Sequence, residues 1–436
     1  MVGCPATAPL ELTSVIAPEI PTVITVSWDG GADDADGHVD FGIDGTLDRR
    51  AAARPDDSGR MAATLIGLPP WTEVTLKASE QSAAGVRDSE QVTVSTGPRP
   101  AWVPTVARDE ETWDASRATP GFLVTSFVPG PAAILDGDGE VVWWHQPDVE
   151  YAHSITRAVL SPDGDGIWYL SWTNLHHGGP ENSMRQIVKV SFDGSVVENA
   201  EVQGAHHDFT LLPGGGIATL MYDTREVEGV MVSADQLVEV ADDGSTRQVW
   251  TVWDHVDFDP DVEYEGGERW GHCNAVDHDS GEDVYYVSCR NFSAIFKIDR
   301  ASGEVLWQLG PDGDFELTGD GIWFENEHQF EIRDDRALVF DNAVPTEATS
   351  AAREYSLDEA TGSATAIWTH APDPGLGVFA FGDVSRLPTD NTLISWGSSG
   401  RIDEVTPDGD VVRRLDVGLG AGVGYTTWIE ALGAEP

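Results

Sequence analysis

Apolar and polar residues alternate in short runs along this chain, and from Ile134 to Val412 the runs fall into a longer repeat. An apolar couplet, a turn of Asp-Gly type and a Val/Trp segment recur in six places: AILDGDGEVVWW from Ala133, IVKVSFDGSVV from Ile187, LVEVADDGSTRQVW from Leu237, IFKIDRASGEVLW from Ile295, REYSLDEATGSATAIW from Arg353 and IDEVTPDGDVV from Ile402. A second hairpin lies between successive copies. Period-two alternation bounded by turn residues predicts strands, so each repeat of roughly fifty residues carries four short ones. Such sheets cannot bury their faces singly, and stacking six of them around an axis gives a six-bladed β-propeller.

Residues 10–97 alternate in the same way but without the repeat, in TVITVSW ending at Trp28, HVDFGI, MAATLIGLPPWTEVTLKAS and QVTVST. The expected fold is therefore all-β: a small β-sandwich over 10–97, a stiff Pro-rich linker over 98–120 that opens with GPRPAWVPT, and the propeller over 121–432. The strand order of the sandwich, with its Leu-Pro turn, resembles a fibronectin type III domain. The late segment GYTTWIEAL can pair with the early FLVTSFV, which closes the ring and removes exposed sheet edges.

Charge narrows the partners. The 436 residues hold 75 carboxylates against 25 bases, of which only Lys77, Lys189 and Lys297 are lysines, for a formal charge of -50. Such a surface repels phosphate backbones and anionic lipid and excludes nucleic acid as a partner. The acidity reads as a solvated surface. The best calcium candidate, DGGADDADGHVD from Asp29 to Asp40, lacks the glutamate that ends an EF-hand loop. No run reaches the roughly eighteen apolar residues of a spanning helix. Cys4, in MVGC, is either an ordinary exposed cysteine or a lipid-anchor site whose signal segment lies upstream of this start. Cys273 and Cys289 stand equal steps from a hairpin tip near Gly281, as a cross-strand disulfide or a reduced buried pair.

Candidate chemistry concentrates in the hairpins between the repeats. HHDFTLLPGGG at His206, HCNAVDHDSGED at His272 and HQFEIRDDRALVF at His328 occupy similar places in successive blades, so the histidines point into one axial funnel. Adjacent strand residues face opposite ways, so only one of His206 and His207 can face the axis, and the resemblance described below selects His207, the one that Asp208 follows. His272 and Asn274 are two apart and share a face, and Arg290 returns on the partner strand. An imidazole, a carboxamide and a guanidinium offer a titratable group, a neutral hydrogen-bonding pair and a planar cation suited to a tetrahedral oxyanion. His153, His176, His177 and His278 carry no assigned role, and their spacing does not suit zinc. Trp144, Trp250, Trp307 and Trp368 recur in the repeats as blade-to-blade packing.

The pattern H-x-N, then S-x-R and I-x-K-I, with HHD upstream and N-x-H-Q downstream, resembles the bacterial arylsulfate sulfotransferases that work without phosphoadenosyl phosphosulfate. The resemblance spans nearly the whole propeller, including GDVSRLPTDNTLISW around Asp383, and that family also carries an N-terminal β-sandwich. It implies that His328 attacks the sulfur of an aryl sulfate, becomes a sulfohistidine and passes the group to a phenolic acceptor. His207 and His272 would bind sulfate oxygens and move protons, with Asn274 and Arg290 steadying the sulfuryl group. No metal or organic cofactor is required, and the setting implied is periplasmic or cell-surface, with a homodimer as one form of assembly. Two other classes stay open: a non-catalytic extracellular ligand-binding propeller, and a quinone-dependent dehydrogenase, for which the funnel lacks an acidic metal triad.

Overall fold

The computed structural model describes residues 8–30, 36–56, 58–83, 85–147, 153–173, 185–202, 204–258, 270–343 and 349–432. The N-terminal strands form a sandwich. Thr13–Ile16, Ile24–Trp28 and Met61–Leu65 make one layer, and Asp36–Ile43, Glu73–Ser82, Gly85–Asp88 and Val92–Ser95 the other. Arg49–Pro55 pairs with both layers and joins them. Alternation sends Val26, Trp28, Val39, Phe41, Leu65, Val74 and Leu76 into a shared core.

Six blades follow around one axis. The first strands of blades 2 to 6 are His153–Leu160, Ala205–Leu211, Cys273–Asp279, Phe330–Arg333 and Asp383–Arg386. The repeated motif forms the outer hairpin of each blade. Its turn is built by the Asp side chain: Oδ1 of Asp136 accepts the backbone N–H of Asp138 and Glu140, and Asp193, Asp243 and Asp299 accept from Ser195, Ser245 and Ser302. Part of the acidic surplus is thus turn chemistry. Gly139 (φ 86°) and Gly409 (φ 92°) take the left-handed positions these turns require.

Blade 1 is closed by the chain's end. Phe122–Val128 pairs with Gly422–Val423 and Thr427–Ile429, with Phe122 opposite Ile429 and Leu123 opposite Trp428, as the alternation predicts. Within the stretch read as a linker, Val106–Arg108 forms a strand along Val411–Val417 and becomes the outer edge of blade 6. Both ends of the propeller are therefore tied into neighbouring blades, leaving fewer unpaired edges. Apolar clusters fill the spaces between blades. Trp144, Trp250 and Trp307 are buried there, and Trp368 is half-buried with the Arg386 guanidinium 5.4 Å from its ring.

A polar tie holds the inner strands at the axis. Oδ2 of Asp208 accepts Gln329 Nε2 at 2.6 Å and the Val276 N–H at 3.1 Å, joining blades 3, 4 and 5. Asp383 accepts the Thr426 N–H at 2.7 Å, which docks the closing segment onto blade 6. Arg157 of blade 2 stands between them, 3.6 Å from Asp208 and 3.8 Å from Asp383. Burial raises both carboxyl pKa values, that of Asp383 to about 7, against the opposing pull of Arg157.

Candidate active site

The expected site residues gather at the leading ends of the inner strands of blades 3, 4 and 5, and the strands of blades 3 and 4 carry β-bulges at His207–Asp208 and at Asn274. In blade 3 the ladder pairs His206 with Leu220 and then skips to Phe209 with Thr219. His207 and Asp208 lie in the skipped step, and His207 has φ 59°. Strict alternation therefore fails here. Asp208 ties the axis, His207 faces His272 with ring centroids 5.3 Å apart, and His206 turns back toward Tyr222 and Asp235.

Blade 4 is bulged at Asn274, between the pairs Cys273–Cys289 and Ala275–Ser288, and His272 has φ 51°. The even spacing expected to hold His272 and Asn274 on one face is interrupted, because the ladder carries an unpaired residue at that step. Left-handed backbone at two histidines costs about 1–3 kcal/mol each and persists where the surroundings impose it. Cys273 and Cys289 are disulfide-bonded directly across the hairpin. Arg290 follows Cys289 not as a strand residue but as the start of a 3-10 turn, Arg290–Phe292, with its N–H donating to the His272 carbonyl at 3.1 Å.

His328 enters blade 5 fully enclosed. Its Nδ1 lies 2.8 Å from Oδ1 of Asn342, whose Nδ2 donates to the carbonyls of Val378 and Phe381, both at 2.9 Å. Burial, with the Arg290 charge assisting, outweighs the Asn342 and Asn326 hydrogen bonds and lowers the His328 pKa to about 3. The ring is neutral at physiological pH. Asn274 Nδ2 donates to the Glu327 carbonyl at 3.1 Å, so this side chain holds the backbone that leads into His328. Glu327 is itself buried beneath the site, where it accepts the Ser288 hydroxyl at 2.8 Å, and burial raises its pKa to about 8. The Phe381 ring lies 6.4 Å from the His328 ring.

Asn342, Glu327 and Asp235 complete the arrangement without having been singled out as functional in the sequence, and His206, set aside there in favour of His207, joins them with its Nδ1 2.8 Å from that of His207. His278 pairs with Asp283 at 3.2 Å at a hairpin tip, and Asp40 of the acidic N-terminal stretch pairs with Arg50 at 2.7 Å. Cys4, His176, His177, the side chain of His153 and residues 31–35 of the calcium candidate lie outside the described residues. Among the described residues no group of three His, Cys, Asp or Glu is placed to hold a metal ion.

No curated protein matches the chain. Among solved structures, a protein of unknown function from Bacteroides caccae is 12% identical over 78% of this chain and 96% of its own, with a TM-score of 0.41. Virginiamycin B lyase from Staphylococcus aureus is 12% identical over 71% of this chain and 88% of its own, with a TM-score of 0.39. Likeness at this level carries no information about activity. A family model for arylsulfotransferase (ASST) matches residues 116–414, which takes in the bulged histidine strands, the disulfide hairpin and the His328 segment. With the motifs and the fold placed together in this way, the chain belongs to the arylsulfotransferase family.

Proposed function

We propose that the protein moves a sulfuryl group from an aryl sulfate to a phenol through a sulfohistidine at His328, without phosphoadenosyl phosphosulfate. The observation that carries this reading is the grip of Asn342 on His328. Because Asn342 Nδ2 spends its protons on two carbonyls, its Oδ1 must be the atom facing the imidazole, and an oxygen acceptor requires the proton on His328 Nδ1. Nε2 then holds the lone pair. A neutral imidazole with a fixed tautomer is a competent nucleophile near neutral pH, and the Arg290 guanidinium supplies positive charge for the developing oxyanions. The Cys273–Cys289 disulfide supports a periplasmic or cell-surface setting, where such bonds persist.

The test incubates purified protein with para-nitrophenyl sulfate, with and without phenol, and follows the released nitrophenol and the intact mass of the protein. Acceptor-dependent release, a gain of one sulfuryl group and loss of both in a folded His328→Ala variant are expected. Binding of the aryl sulfate with no release and no mass gain would instead make this a ligand-binding propeller.

A further inference from the structure

Blade 3 carries more polar machinery than a histidine that only grips a sulfuryl oxygen would need. His206 is fully buried and stacks on Tyr222 with ring centroids 4.2 Å apart. Its Nδ1 lies 2.8 Å from Nδ1 of His207, and its Nε2 lies 3.1 Å from Oδ1 of Asp235. Asp235 is buried as well, and its second oxygen accepts the Cys273 N–H at 3.2 Å. Gly271 makes room for that carboxylate, since a Cβ there would sit 2.4 Å from Oδ2. His207 completes the row, facing His272 at 5.3 Å and Trp172 at 6.1 Å between ring centroids.

Two imidazole nitrogens at this separation attract only when one proton lies between them. The Asp235 carboxylate beside Nε2 of His206 favours a proton on that atom. The two Nδ1 atoms then share a single proton, and His207 meets a substrate through Nε2. We infer that Asp235 and His206 are positioning residues that let His207 act as the acid in the first half-reaction and as the base in the second. This rests on the sulfuryl transfer proposed above.

In the first half, His328 Nε2 bonds to sulfur and the bond from sulfur to the aryl oxygen breaks. The electron pair leaves on that oxygen, which takes the Nε2 proton of His207. In the second half, the acceptor phenol returns a proton to His207 Nε2 as its oxygen bonds to sulfur and the bond from His328 to sulfur breaks. While His207 is doubly protonated, its charge is shared with His206 and faces Asp235. The donor and the acceptor are the only reactants needed.

The test compares Asp235→Asn and His206→Gln with the unmodified protein on two donors, using kcat/KM for the donor because it reports the first half-reaction alone. The phenolate of para-nitrophenyl sulfate leaves unaided, whereas that of para-methylphenyl sulfate needs a proton. A general acid contributes ~100-fold or more, so each variant is expected to lose ~100-fold on the methyl donor and under ~5-fold on the nitro donor. An equal loss on both donors assigns His206 and Asp235 to structure alone and overturns the inference. Absence of turnover by the unmodified protein on either donor sinks the sulfuryl-transfer reading itself, and it is seen before any variant is compared. A readout independent of turnover is a far low-field proton resonance from the shared Nδ1 proton, lost in His206→Gln. Its absence from an unmodified protein that does transfer sulfuryl groups also overturns the inference.

Discussion

Replacing Glu327 with Gln is expected to stabilise the protein at alkaline pH and to change it little in acid. Glu327 is fully buried, its Oε1 accepts the Ser288 hydroxyl, and burial raises its pKa from 4.5 to about 8. The folded value lies above the unfolded one. Between these two values the folded state keeps a proton that the unfolded state has released, so stability falls as pH rises through the window. Each tenfold change in proton affinity is worth about 1.4 kcal/mol, which sets a ceiling of roughly 5 kcal/mol once the window is crossed. Relaxation and water entry reduce this to about 2–4 kcal/mol. Gln resembles the protonated acid and carries no such penalty. At about 2 °C per kcal/mol for a large domain, the variant should melt roughly 4–8 °C higher than the unmodified protein near pH 8.5. Near pH 5 the two should nearly coincide. Thermal melting of both proteins at the two pH values decides the matter. A difference that does not vary with pH, or a variant that is weaker at alkaline pH, would refute the reasoning.

Asn342→Leu removes the acceptor that sets the His328 tautomer and leaves the carbonyls of Val378 and Phe381 unpaired. Sulfuryl transfer should fall by ~10²–10⁴-fold, as when a catalytic imidazole loses its tautomer, and stability by ~2–4 kcal/mol. Full-rate transfer in steady-state assays of a folded variant would count against the tautomer argument. Cys289→Ser opens a disulfide whose cysteines are 16 residues apart, which is expected to cost ~3 kcal/mol in urea unfolding. An unchanged urea midpoint would show that the hairpin holds itself without the bond.

The blades were legible in the sequence because each rests on consecutive residues: period-two alternation, Asp-Gly turns and recurrence are local properties. The ring closure was legible too, since both partners of the Phe122–Ile429 ladder are alternating apolar segments with nothing else to cover them. His207, His272 and His328 stood out through their residue type and their place within the repeat. Asp235 and Glu327 did not, being two carboxylates among 75, and Asn342 sits in no recognisable motif. The Val106–Arg108 strand reads as linker because its partner, Val411–Val417, lies at the far end of the propeller. The sequence alone thus determined the architecture and the kind of chemistry its residues can offer. Only the tertiary structure decided which way each side chain points and which protons are held, because bulges break the alternation from which direction is read. Likewise, a carboxylate or imidazole acquires its proton affinity from the strands packed around it, not from its neighbours in the chain.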